Sequence, residues 1–213
     1  MPTIPVLKVI IAGDGNVGKT SLIRRYCEGK FEQSRVATIG VDFQTKLVDL
    51  PDGRVKLSIW DMAGQDRFQV MREGFYRGSR SAALVYDLTE LESLAHLRRW
   101  RQELVGVVPD LPLVVVGNKR DLAPDASLAP GEAMAKAMGA DHIDKCSHRH
   151  RRRRHVHVSG QHGQSEVDSR RLAQPQMLPS TPPSPRTDFH QTFPIPALIL
   201  TRSRLAGLAR GRR

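Results

Sequence analysis

Apolar positions along the chain alternate between short continuous runs and stretches of helical period, the arrangement expected of strands that alternate with helices. Val6 to Ala12 is an apolar run broken only by Lys8 and reads as a buried strand. Val55 to Trp60 is strand-like, and Leu113 to Gly117 is a short run rich in β-branched residues. The pattern predicts strands at 6–12, 40–50, 54–61, 81–87 and 112–117, and helices at 18–28, 66–78, 91–106 and 130–138. Pro51-Asp52-Gly53 predicts a hairpin turn, so the second and third strands should be antiparallel and the others parallel. Along 91–106, Leu94, Leu97 and Leu104 trace one apolar face that Arg101 interrupts. The predicted fold is an α/β domain with a doubly wound, mostly parallel sheet.

Chemistry enters at the end of the first strand. Gly13-Asp14-Gly15-Asn16-Val17-Gly18-Lys19-Thr20 fits the G-x-x-x-x-G-K-[ST] phosphate-binding pattern, and Ser21 follows it into the helix. The glycines let backbone N–H groups turn inward around the α- and β-phosphates. Lys19 reaches the β- and γ-phosphates, and the Thr20 hydroxyl is a ligand for Mg²⁺. By itself the loop specifies only a nucleoside triphosphate.

Asn118, Lys119 and Asp121 narrow the choice of base. They follow the strand at 112–117, and open α/β sheets bind ligands at the C-terminal ends of their strands. The Asp121 carboxylate can accept from both N1–H and the 2-amino group of guanine. Adenine has neither donor, and would leave that acceptor unpaired at a cost of about 1–3 kcal/mol.

Between these motifs lie the parts of a switch. Asp61-Met62-Ala63-Gly64-Gln65 places Asp61 at a strand end, within reach of Mg²⁺ through water. Gly64 can then offer its N–H to the γ-phosphate, and the Gln65 amide can orient an attacking water. Thr38 supplies a second hydroxyl ligand from a loop of the kind ordered by a γ-phosphate. Catalysis would fall to Gln65, Lys19 and Thr38, with Arg35 as a further candidate. Arg35 stands three residues before Thr38, the spacing of an arginine finger supplied in cis.

From about residue 5 to residue 140 the chain resembles the Ras superfamily of small GTPases. Thr38-Ile39-Gly40-Val41-Asp42-Phe43 and Trp60-Asp61-Met62-Ala63-Gly64-Gln65-Asp66-Arg67-Phe68 look most like the Rab branch. The resemblance implies GTP and GDP with Mg²⁺ as ligands, slow GTP hydrolysis, and a role in signalling or trafficking. It sets Phe31 edge-on to the guanine and Lys119 over its face. It also makes Phe43, Trp60 and Phe75 the aromatic triad that meets effectors, exchange factors or activating proteins, with buried packing as the competing reading. Met62 stands where the family has threonine, a position with no catalytic role. A monomer is expected.

Charge divides the chain. Residues 1–147 carry 20 Lys and Arg against 19 Asp and Glu, and residues 148–213 carry 13 against 3, so +1 and +10 make up the total of +11. The tail also holds seven of 14 prolines and six of eight histidines, and 148–193 lacks sustained apolar periodicity. It should be largely disordered, and its Arg149 and Arg151–Arg154 would attract any polyanion, an anionic membrane or nucleic acid included.

The resemblance also calls for a strand after residue 138, a guanine-contacting turn and a final helix. Residues 140–148 offer a poor strand; Cys146-Ser147-His148 could serve as the turn, with the His148 N–H donating to guanine O6. Five prolines between Pro175 and Pro185 leave no room for the helix in its place. Pro196 to Arg210, with Leu198, Leu205 and Leu208 on one stripe, could replace it or lie on a membrane; an altered reading frame is the third reading. The last eight residues, Ala206 to Arg213, contain no cysteine for a prenyl anchor. Two cysteines, no signal segment and no apolar run long enough to span a bilayer predict a cytoplasmic protein. The rival to a GTPase switch is a non-catalytic or poorly folded relative whose basic tail binds a polyanion.

Overall fold

The computed structural model describes residues 4–29, 31, 37–50 and 53–144. Arg35, the Pro51-Asp52 turn, Cys146, Ser147, His148 and the whole basic tail, with the question of the final helix, lie outside the described residues.

Six strands form one sheet in the order β2-β3-β1-β4-β5-β6. They are β1 (Val6–Ala12), β2 (Val41–Leu50), β3 (Gly53–Met62), β4 (Ser81–Asp87), β5 (Leu113–Asn118) and β6 (Asp141–Asp144). β2 and β3 are antiparallel from Leu50↔Gly53 to Val41↔Met62, and every other pairing is parallel, as the sequence predicts. The sheet is flanked by α1 (Lys19–Glu28), α2 (Gln69–Tyr76), α3 (Glu92–Val107) and α4 (Ala129–Ala137).

The two faces bury separate clusters, as a sheet with helices on both sides requires. Ile10, Leu84, Tyr86 and Val115 pack with α3 and α4 side chains such as Leu97, Trp100, Leu104 and Ala135. On the opposite face Val9, Ile11, Leu57, Ile59, Val114 and Val116 pack with Leu22 and Ile23 of α1. β4 and β5 are buried along their whole length, which is why they read as unbroken apolar runs rather than alternating ones.

Two expectations need correction, and the one for α3 needs extending. The helix expected over 66–78 begins as a short 3₁₀ turn, Asp66–Phe68, before α2 proper starts at Gln69. On α3 the buried face runs through Trp100, which is fully buried, while Arg101 is only half-buried. The polar Asp141-His142-Ile143-Asp144 does form a strand, pairing with β5 from Val114↔Asp141 to Gly117↔Asp144. At a sheet edge the backbone ladder to an established neighbour outweighs weak strand propensity.

Candidate nucleotide site

Most features of the site sit at the C-terminal ends of β1, β3, β4 and β5, and Thr38 joins them from the segment before antiparallel β2. The loop after β1 passes flush over β4: a Cβ on Gly13, at φ 139°, would lie 2.1 Å from the Val85 carbonyl oxygen. Only glycine fits there. Lys19, the first residue of α1, is buried, and its ammonium donates to the carbonyls of Gly13 (2.7 Å) and Asp14 (2.6 Å). Burial pulls its pKa down to about 8, against the pull of Asp61 and Asp14. A phosphate group would supply the opposite charge this cation lacks.

The three proposed metal ligands converge. The Thr20 hydroxyl donates to Asp61 Oδ2 at 2.5 Å and lies 2.9 Å from the Thr38 hydroxyl, which is 3.4 Å from the same carboxylate oxygen. Asp61 is buried, and its Oδ1 has no hydrogen-bond partner among the described residues. Desolvation raises its pKa, offset in part by the Thr20 hydrogen bond and Lys19. Two hydroxyl oxygens beside an under-satisfied buried carboxylate suit a small divalent cation such as Mg²⁺.

At the other end, Asn118 closes β5, fully buried, and its amide donates to the Val17 carbonyl at 2.8 Å. Lys119 adopts a left-handed conformation (φ 61°), and its ammonium pairs with the buried Asp87 carboxylate at 2.5 Å. Asp87 also accepts from the Thr89 N–H and hydroxyl, so the Lys119 head is held against a structured turn. Asp121 follows on this turn, half-buried. Phe31 and Ser21 are likewise half-buried.

Gly64 packs directly against the phosphate loop. A Cβ on it would stand 2.2 Å from both the Asp14 carbonyl carbon and the Gly15 nitrogen. Gln65 follows, half-buried, while Gly15 and Asn16 are exposed. The side chain of Asp14 faces away from this centre: its Oδ1 accepts from Trp100 Nε1 at 2.8 Å, and its Oδ2 lies 2.6 Å from His96 Nδ1. Any contact of Asp14 with a phosphate therefore belongs to its backbone. Its carboxylate ties the loop to α3, a role for Trp100 and His96 that the sequence pattern does not signal.

The aromatic triad is assembled on the β2–β3 ribbon. Phe43 and Trp60, partners in register, stack at 5.8 Å, and Phe75 of α2 lies 5.7 Å beyond Trp60. Phe43 is 62% exposed, and Ile39, Val70 and Met71 nearby are exposed as well. Burial of the whole triad is thus not the arrangement found.

The sequence profile of the Ras family matches residues 8–157. The chain belongs to the Ras family. Its similarity lies in the Rab branch of that family. The chain is 41% identical over 138 residues to the Ras-related protein Rab-21 of Homo sapiens, covering 63% of this chain and 61% of that protein. It is 46% identical over 137 residues to the Ras-related protein Rab7 of Prunus armeniaca, and 45% identical over the same length to RABG3f of Arabidopsis thaliana; both alignments cover 62% of this chain and 66% of the relative. The chain thus spans less than two thirds of the length of these Ras-family relatives. No helix among its described residues is long and apolar enough to cross a membrane.

Proposed function

We propose that this Ras-family chain is a guanine-nucleotide switch that binds GTP or GDP with Mg²⁺ and hydrolyses GTP slowly. The observation that carries the reading is the convergence of Lys19, Thr20, Thr38 and Asp61 beside a loop that Asn118 fastens to the base-reading turn. Lys19 and the loop N–H groups would hold the β- and γ-phosphates, and Thr20, Thr38 and Asp61 would hold the cation, Asp61 through water. Bound Mg²⁺ supplies charge neutralisation for the transferring phosphoryl group. Asp121 would accept from guanine N1–H and the 2-amino group, and Lys119 and Phe31 would flank the base.

Gln65 would orient the attacking water in line with the γ-phosphate, and the Gly64 N–H would mark whether that phosphate is present. Loss of the phosphate removes the reason for residues 38 and 64 to stay at the site, which is the switch. The exposed Phe43, with the half-buried Trp60 and Phe75 it adjoins, lies beside both and would pass the state to effectors of a trafficking or signalling pathway in the cytoplasm. Arg35, Ser147 and His148 remain proposed contributors on sequence grounds.

The test is to purify the chain, identify any bound nucleotide, and measure retention of GTP, GDP and ATP with Mg²⁺. Selective retention of guanine nucleotides, with slow release of phosphate that Gln65→Leu suppresses, is the expected result. Equal retention of ATP and GTP overturns the reading.

A further inference from the structure

We propose that Arg72 is a positioning residue for the proposed hydrolysis: it fixes the backbone that carries Gln65 by joining it to α3 inside the protein. Arg72 lies on α2, and its side chain is almost wholly buried, an unusual place for a guanidinium. Each of its three nitrogens finds an acceptor. Nε and Nη2 engage both oxygens of Glu103 on α3 at 3.0–3.2 Å. Nη1 donates to the carbonyls of Ala63 (3.2 Å) and Gln65 (2.8 Å), on either side of Gly64.

The pairing is not a bare ion pair between two helices. The Glu103 side chain is 5% exposed and also accepts from the Tyr76 hydroxyl at 3.2 Å. The guanidinium carbon sits 4.2 Å from the Trp100 ring centroid, and the indole N–H of Trp100 is the donor to Asp14 of the phosphate loop. One planar cation therefore links the loop before α2, helix α3 and, through Trp100, the phosphate loop.

Geometry gives this link its consequence. While the carbonyls on both sides of Gly64 are held in this way, as the proposed GTP-bound state requires, the peptides that carry the Gly64 N–H and the Gln65 side chain have little freedom to rotate. A catalytic group held in place contributes far more than one that must find its position, and a displacement of about 1 Å can cost about a hundredfold in rate. A lysine could retain the charge and much of the packing, but its three-donor head cannot span a carboxylate and two carbonyls in one plane.

The inference rests on the GTPase reading, and the experiment separates the two. Single-turnover GTP hydrolysis, GDP release and thermal unfolding are compared between the parent and Arg72→Lys. The expected result is hydrolysis slower by about tenfold or more, with GDP release within about twofold of the parent. A purely structural clamp would instead change stability and GDP release while sparing the hydrolysis of bound GTP. An unchanged hydrolysis rate in a variant that retains GTP overturns the proposal. Should Arg72→Lys fail to fold, Glu103→Asp withdraws the carboxylate by one methylene with Arg72 in place; it should slow hydrolysis likewise, and a parent rate there overturns the proposal too. A parent chain that retains guanine nucleotide but never hydrolyses it, or retains none, defeats the underlying reading first.

Discussion

The Asn118 amide donates to the Val17 carbonyl at 2.8 Å across 101 positions of sequence, tying the turn after β5 to the loop after β1. Both residues are buried, so the bond has no water to replace it. Asn118→Ala leaves the Val17 carbonyl orphaned, at a cost of about 1–3 kcal/mol. The variant should melt lower and release GDP faster. A dissociation rate and melting curve matching the parent would show that the bond holds nothing together.

Gly64 touches the Asp14–Gly15 peptide so closely that no side chain fits. Gly64→Ala must push the loop carrying Gln65 away from the phosphate loop, since the atoms in the way are backbone. We expect GTP to remain bound while its hydrolysis falls by about tenfold or more, because a displacement of about 1 Å is enough for that. Single-turnover assays decide it; a variant hydrolysing at the parent rate would mean this contact opens before the chemistry.

How much of this was legible in the sequence depends on how local each signal is. Lys19, Thr20, Asp61 and Asn118 are announced by spacing within a few residues and by the strand before each, and the structure brings them to the C-terminal ends of the parallel strands. Strand β6 was illegible because two aspartates and a histidine in four residues carry no strand preference; only the ladder to β5 makes it one. Arg72 and Trp100 were hidden for another reason. A buried arginine contradicts its usual surroundings, and its partners Glu103, Ala63 and Gln65 are supplied by folding rather than by neighbours in sequence. The orientation of the Asp14 carboxylate toward α3 likewise depends on side chains more than 80 positions away.

Asp121 is the residue on which base choice should turn. A carboxylate only accepts, and guanine offers it two donors; an amide both donates and accepts. Asp121→Asn should therefore lose affinity for GTP and gain affinity for xanthosine triphosphate, whose 2-carbonyl replaces the 2-amino group. The direction follows from hydrogen-bond matching, with each mismatched buried group costing about 1–3 kcal/mol. Competition binding of the two nucleotides measures it, and an unchanged preference for GTP would remove Asp121 from the base-binding role.

The corner where β6 meets α4 should make folding sensitive to acid. His142 Nε2 lies 3.0 Å from the Tyr86 hydroxyl, and burial pushes the Tyr86 pKa up to about 12, so that hydroxyl stays protonated and can donate to Nε2 in the neutral tautomer that carries its proton on Nδ1. Burial also lowers the His142 pKa below its ordinary 6.5, although Glu132 and Asp144 nearby oppose the shift. Between the folded value and 6.5 the unfolded chain then binds more protons than the folded one, so stability falls as pH drops through that window and is unaffected by this group above it. His142→Gln keeps an acceptor for Tyr86 and removes the titration. Urea unfolding of both proteins from pH 7.5 to pH 5 should show a steeper loss for the parent, the carboxylates common to both cancelling in the difference. Parallel curves would mean that protonated His142 is accommodated in the folded state as readily as in the unfolded one.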